Sequence, residues 1–141
     1  MDFLKQYLDL MVFGTLSLMS FIMIWFVVER LIFYTRFKVE KYSHPEQLQV
    51  SLTNRLTTIS SIGSNAPYIG LLGTVCGILI TFWDIGQGGN IDPATIMLGL
   101  ALALKATAAG LVVAIPSILF YNLLLRRVDV LTSQWRQAQD Q

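Results

Sequence analysis

The chain has 141 residues, of which 54% are hydrophobic and only 13% are charged. Soluble domains carry about 25% charged residues, so this chain has too little polar surface to cover a globule in water. High hydrophobicity excludes intrinsic disorder, and an intrachain disulfide is excluded because Cys76 is the single cysteine. The net charge of +1 does not indicate the clustered basic face of a nucleic-acid-binding protein.

The apolar residues are gathered into three runs, at 10–28, 56–83 and 93–125, and Lys105 is the only charge within them. A bilayer core of ~30 Å needs about 20 apolar residues at a helical rise of ~1.5 Å. Each run therefore predicts one transmembrane helix. We expect an all-α membrane protein forming a single domain over residues 1–141, with spans at about 10–31, 66–85 and 93–125.

The first run is interpreted as a span rather than a secretory signal. Asp2 and Asp9 lie beside Lys5, so the segment before the run is not cationic. The run is also long for the apolar region of a signal, and no Ala-x-Ala cleavage site follows it.

The distribution of basic residues predicts the orientation in the membrane. Five basic residues follow span one and three follow span three, whereas the turn between spans two and three has none. This bias places the N-terminus and the turn at residues 86–90 outside. The C-terminus and the segment 36–65 are then in the cytoplasm.

The cytoplasmic segment 36–65 is predicted to contain a helix. Ser43 is the candidate N-cap, Pro45 fits the first turn, and Glu46 stands at the capping-box position. We expect this helix to lead into span two, with Pro67 as a kink or a fresh start, and Pro116 to kink span three. Span three is expected to begin at Asp92-Pro93.

Small and threonine residues form one stripe on each of the last two spans, because they recur at helical spacing. Such stripes are typical of close helix packing in lipid. The alternative is that the threonines line a polar pathway, and both hypotheses hold together if packed subunits leave a central pore. The stripes contain Gly70, Thr74, Gly77 and Thr81 on span two, with Gly73 beside them, and Gly99, Ala103, Thr107, Gly110 and Ala114 on span three.

Titratable groups inside the spans are scarce. No Asp or Glu lies in the middle of a span, Glu29 stands at the end of span one, and Lys105 is the one charge inside a span. Lys105 and Glu29 are candidate contacts to a partner or a neighbouring subunit, because charges in hydrocarbon are costly unless paired. A threonine relays a hydrogen bond but holds no proton charge, so a complete proton path requires a carboxylate from another chain.

Three segments resemble signatures of the MotA/TolQ/ExbB proton-channel family. The chain is most similar to the short ExbB-type members of that family. Residues 66–78 (APYIGLLGTVCGI) resemble the span-two signature. Residues 103–116 (ALKATAAGLVVAIP), followed by Tyr121-Asn122, resemble that of span three. Residues 28–31 (VERL) are similar to the exit from span one. Together the matches cover nearly the whole chain in the right order.

The resemblance implies a ring in the bacterial inner membrane, with a pentamer favoured, the N-terminus periplasmic and the C-terminus cytoplasmic. It implies that spans two and three line a pore, with Thr74 and Thr107 as its threonines. It further implies an ExbD-like single-span partner with an intramembrane Asp and a TonB-like protein that energises outer-membrane transport. Beyond these partners we expect contact with membrane lipids, and neither nucleic acid nor a cofactor.

One position departs from the family pattern. Many long members have a Glu five residues before the span-three threonine, where this chain has Leu102. TolQ-like and flagellar-stator-like motors are the alternative roles, and the short segment 36–65 argues against the stator. A non-conducting scaffold also remains open. An enzyme is disfavoured because the sequence contains no nucleophile–base pair, metal-ligand cluster or phosphate-binding loop.

Overall fold

The computed structural model describes residues 2–38, 41–89 and 91–140. Within these residues the chain folds into four α-helices: α1 Asp2–Thr35, α2 Pro45–Thr53, α3 Leu56–Gly86 and α4 Pro93–Gln139. Three of them, α1, α3 and α4, are long and apolar enough to cross a membrane. The predicted all-α membrane fold with three transmembrane helices is therefore confirmed.

The helices α3 and α4 form an antiparallel pair, which is the most extensive helix contact in the molecule. A short turn joins them, in which Gly88 adopts a φ of +84° and the Gly89 N–H donates to the Asp84 carbonyl at 2.9 Å. Asn90, the last residue of the predicted 86–90 turn, lies outside the described residues. The helix α4 then begins at Pro93 with Asp92 in the N-cap position, where the sequence predicted it.

The segment between α1 and α3 differs from its prediction in two respects. The N-cap of α2 is His44 rather than Ser43, and it makes no side-chain capping hydrogen bond. Pro45 at the first helical position has no N–H, so the first turn of α2 has one donor fewer that needs a partner. The second difference is at the entry to span two, where the chain breaks at Arg55, whose φ is 71°. The helix α3 then passes through Pro67 without interruption, so the fresh start at Pro67 was wrong.

The helix α4 extends well past residue 125, the predicted end of span three. Its length of 47 residues corresponds to about 70 Å at helical rise, which exceeds the thickness of a bilayer. Beyond the basic pair Arg126 and Arg127, one face remains apolar and packs with α2 and α3. Three buried side chains carry this packing, Val128, Leu131 and Trp135, and Leu124 precedes the basic pair on the same face.

Two hydrophobic clusters stabilise the bundle, and they differ in side-chain size. The first, here called the loop half, joins large residues of all four helices and includes Leu48, Leu52 and Ile59. The second, here called the threonine half, is built from smaller contacts among α1, α3 and α4. Its buried members are Val12, Leu16, Ala66, Ala106 and Ala114.

Candidate functional site

The two predicted stripes of small residues lie against each other where α3 crosses α4. At Gly70 an added Cβ would come within 2.5 Å of the Ala106 carbonyl oxygen and 3.1 Å of the Gly110 Cα. At Gly110 an added Cβ would come within 2.6 Å of the Ala66 carbonyl oxygen. The backbones therefore approach so closely that a methyl group at either glycine requires the helices to separate.

The same close approach continues along both helices. An added Cβ on Gly77 would lie 2.9 Å from the Ala103 Cβ, and one on Gly73 would lie 2.9 Å from the Ala106 Cβ. Ala114 is 2% exposed and belongs to the threonine half. Small residues at helix interfaces are the usual way in which membrane helices gain van der Waals contact.

Thr74 and Thr107 meet inside this crossing, and their hydroxyl oxygens are in hydrogen-bond contact. The Thr74 hydroxyl also lies 2.9 Å from the Ala103 carbonyl oxygen of α4 and 3.3 Å from the Gly70 carbonyl oxygen of its own helix. Thr74 is only 6% exposed, whereas Thr107 is half-buried. Thr107 is therefore the one of the two residues that is accessible from the surface of the subunit.

The direction of these hydrogen bonds follows from counting hydrogens. A hydroxyl has one hydrogen and two lone pairs, and Thr74 stands beside two carbonyls that can only accept. Thr74 therefore donates to the Ala103 carbonyl, the nearer of the two, and accepts from the Thr107 hydroxyl. This arrangement leaves the lone pairs of the Thr107 oxygen as acceptors for a group outside the subunit.

Lys105 lies on a different side of α4 from Thr107. Its side chain is exposed, and its Nζ stands 5.7 Å from the ring centroid of Phe13 on α1. A cation at this distance from an aromatic face is weakly attracted to it. The ammonium group remains accessible at the outer face of the α1–α4 contact.

Glu29 is engaged within the chain, in a cluster that the sequence did not reveal. Its carboxylate accepts two hydrogen bonds from Arg30, at 2.6 and 2.7 Å, and lies 3.7 Å from the Arg55 guanidinium. Arg30 is 3% exposed and donates to the Ser51 carbonyl at 2.7 Å. Tyr34, one helical turn later, donates to the Leu52 carbonyl at 2.5 Å.

These contacts cap the C-terminal end of α2. The last carbonyls of a helix have no partner within it, and here Arg30 and Tyr34 supply partners for two of them. A third contact fixes the chain before α2, since the Trp135 indole N–H donates to the Tyr42 carbonyl at 2.9 Å. The i, i+4 spacing of Arg30 and Tyr34 was visible in the sequence, but their targets depend on where α2 ends.

Three other predicted residues are placed as follows. Pro67 and Pro116 lie inside continuous helices and are half-buried. Leu102, which stands where many long members of the resembling family have a Glu, is 54% exposed. Among the described residues there is no group of three His, Cys, Asp or Glu side chains that could hold a metal ion.

Comparison with known proteins decides the family. The sequence profile of the MotA/TolQ/ExbB proton channel family matches residues 31–137, which is most of the chain. The chain belongs to this family. The threonine pair and the small-residue crossing both fall inside the matched region.

Individual relatives resemble the chain over nearly its full length. A biopolymer transport protein ExbB of Helicobacter pylori strain J99 is 52% identical over 136 residues, covering 96% of this chain and 94% of that relative. The ExbB of Aquifex aeolicus strain VF5 is 48% identical over 135 residues, covering 96% and 91%. The ExbB of Neisseria gonorrhoeae is 49% identical over 77 residues, which are 55% of this chain and 35% of that longer relative.

Membership of the family fixes the class of protein. The chain is a short, ExbB-like, multi-pass protein of the bacterial inner membrane. It is a proton-channel family subunit and not an enzyme.

Proposed function

We propose that this chain is the ring-forming subunit of a proton channel that energises TonB-dependent transport across the outer membrane. In this proposal several copies, with a pentamer favoured, surround an ExbD-like single-span partner. The names of the full-length relatives support a role in biopolymer transport. The observation that carries the pathway is the Thr74–Thr107 hydroxyl pair, which lies in the middle of two transmembrane helices.

The proposed orientation follows from the basic residues. Those at the end of α1 and in the following segment, together with Arg126 and Arg127 of α4, are placed in the cytoplasm by the positive-inside rule. The N-terminus then lies in the periplasm. The loop half lies at the cytoplasmic end of the bundle in this orientation, and the threonine half lies within the membrane.

The proton itself must be carried by another chain. Neither Thr74 nor Thr107 holds a charge near neutral pH, so we assign the carrier to an intramembrane Asp of the ExbD-like partner. Since Thr107 offers acceptor lone pairs, it favours a protonated carboxyl, which donates a hydrogen bond, over a carboxylate, which only accepts. Binding and release of the proton thereby changes the preference of the partner for the threonine face. That change in preference drives relative motion of the ring and its partner.

Lys105 is proposed as a contact to a neighbouring subunit or to the partner. Its accessible ammonium group lies within the hydrophobic run of α4, where an unpaired charge is costly. Glu29 is a weaker candidate for such a contact, because Arg30 and Arg55 already surround its carboxylate.

Proton flux in liposomes tests the pathway. Complexes of the chain with its partner are reconstituted, and flux is compared between wild type and the double variant Thr74→Ala with Thr107→Val. We expect the double variant to assemble but to lose at least about tenfold in flux, because the hydroxyl relay is absent.

Thr81→Val is the matched control for this measurement. Thr81 is a buried threonine of the same helix, and its hydroxyl donates to a carbonyl of its own helix, that of Gly77, at 3.0 Å. This variant is expected to keep wild-type flux. If the double variant still conducts and still energises transport, the threonines only pack helices. The proposed pore role of Thr74 and Thr107 would then be wrong.

A further inference from the structure

A groove of about 770 Å³ lies on the outer face of α1, where the helix meets the segment that follows it. Its floor is built from apolar and aromatic residues of α1, and its upper edge from basic residues and Tyr42. The groove is separate from the threonine pair. The side chains used in the following argument are Phe21, Trp25, Ile32, Arg36, Lys38 and Lys41.

The apolar floor matches the depth of one lipid leaflet. From Phe21 to Ile32 the helix rises about 16 Å, and half of a bilayer core is about 15 Å. Phe21 and Trp25 are 64% and 59% exposed, and their rings lie 6.2 Å apart. This face of α1 points away from the residues of α1 that pack against α3 and α4, so no other described part of the chain covers it.

The upper edge of the groove carries positive charge. Arg36, Lys38 and Lys41 are exposed side chains that line it. Glu29 is also in the lining, but its carboxylate is held by Arg30 and lies 3.7 Å from Arg55. The described part of the groove is therefore apolar at leaflet depth and cationic at the level of the lipid headgroups.

We propose that this groove is a binding site for one anionic phospholipid. An acyl chain lies along Phe21, Trp25 and Ile32, and the headgroup phosphate is bound by Arg36, Lys38 and Lys41. Basic clusters next to the end of a transmembrane helix attract anionic headgroups. Aromatic side chains such as Trp25 add contact area for the chain. The headgroup charge and the leaflet-long apolar floor together select a lipid rather than a free anion.

Native mass spectrometry of the purified assembly tests this site. The full chain, in its complex, is equilibrated with micelles holding equal amounts of phosphatidylglycerol and phosphatidylcholine, and retained lipids are counted. Each basic residue near an anionic surface contributes about fivefold in affinity. We therefore expect the triple variant Arg36→Gln, Lys38→Gln and Lys41→Gln to reduce the preference for phosphatidylglycerol by at least about tenfold.

The matched control neutralises three exposed arginines of α4 that do not line the groove: Arg126→Gln, Arg127→Gln and Arg136→Gln. It is expected to keep the preference within about twofold. Trp25→Ser is expected to release both lipids, because it removes contact with the acyl chain. An equal loss in both triple variants would show a general surface charge effect and overturn the site.

Two further arms separate the lipid from other occupants. Millimolar inorganic phosphate is added to the wild type, and retention of the lipid is the expected result. Displacement of the lipid by phosphate would show a free-anion site. In the second arm, Trp25→Cys is made together with Cys76→Ala. Because one cysteine position pairs with itself only across a two-fold contact, efficient disulfide formation would place a second copy in the groove through such a contact, whereas we expect none.

Discussion

The threonine half and the loop half of the molecule are stabilised in different ways. In the threonine half, glycine and alanine allow the backbones of α3 and α4 to touch, so that a threonine hydroxyl reaches across to a carbonyl of the other helix. In the loop half, large side chains such as Leu48 and Trp135 fill the space, and Arg30 and Tyr34 bind the end of α2. Gly70 and Gly110, where α3 and α4 cross, leave no room for an added methyl group, and the loop half depends on particular polar contacts.

The largest expected effect is at the crossing in the threonine half. Gly70→Ala places a methyl group against backbone atoms of α4, and backbone atoms cannot rotate away. We expect a loss of about 3 kcal/mol or more in the free energy of unfolding. A thermal melt of the assembly in detergent measures it.

Gly14→Ala is the control for this substitution. Gly14 is also inside a transmembrane helix, but an added Cβ there meets nothing within 4 Å. This variant is expected to be neutral or slightly stabilising, since alanine favours the helix over glycine. Equal melting temperatures for the two variants would show that α3 and α4 do not approach as closely as described.

The next effect tests the polar contacts of the loop half. Arg30→Met keeps the apolar stem of the side chain but removes the guanidinium. The Ser51 carbonyl and part of the Glu29 carboxylate then have no donor. We expect the free energy of unfolding to fall by about 2 kcal/mol, because removal of a buried guanidinium leaves its hydrogen-bond partners unsatisfied. Urea unfolding, monitored by the fluorescence of Trp135 in the loop half, measures this change in the free energy of unfolding.

Arg126→Met serves as its control, because Arg126 is an exposed arginine that does not line the groove. Its effect on unfolding is expected to stay within about 0.5 kcal/mol. If both arginine variants unfold alike, Arg30 does not hold α2 in place, and the loop half depends on hydrophobic contact alone.

A smaller effect is expected for the hydroxyl of Tyr34. Tyr34→Phe removes only the hydrogen bond to the Leu52 carbonyl, so the expected loss is about 1 kcal/mol. Tyr7→Phe, at a tyrosine that is 54% exposed on the same helix, is expected to change nothing measurable. Hydrogen exchange of α2 amides is the readout, and unchanged protection in Tyr34→Phe would contradict the capping contact.

The sequence predicted the membrane fold well because hydrophobic runs and small-residue stripes are local patterns. The spacing of Gly70, Thr74 and Gly77 alone indicates a helix face that a neighbour can approach closely. The close approach of Thr74 to Thr107 also needed the register of α3 against α4, which the sequence suggested only through the family resemblance.

The loop half was harder to predict for a physical reason. Arg30 and Tyr34 donate to carbonyls that become available only because α2 ends at Thr53. That end depends on the positive φ of Arg55. An arginine does not indicate a positive φ in the sequence, as a glycine would. The extension of α4 past residue 125 could have been predicted from the spacing of its apolar residues. Val128, Leu131 and Trp135 continue one helical face of α4 past residue 125, the predicted end of span three.

Proton flux through the reconstituted complex, measured with two substitutions at Thr107, tests the central proposal most directly. Thr107→Ser keeps the hydroxyl and loses a methyl group, whereas Thr107→Val keeps the shape and loses the hydroxyl. If the hydroxyl is the working group, the serine variant conducts at nearly the wild-type rate and the valine variant loses at least about tenfold. Equal flux through both variants, in complexes that assemble normally, would contradict the proposed role of the threonine pair.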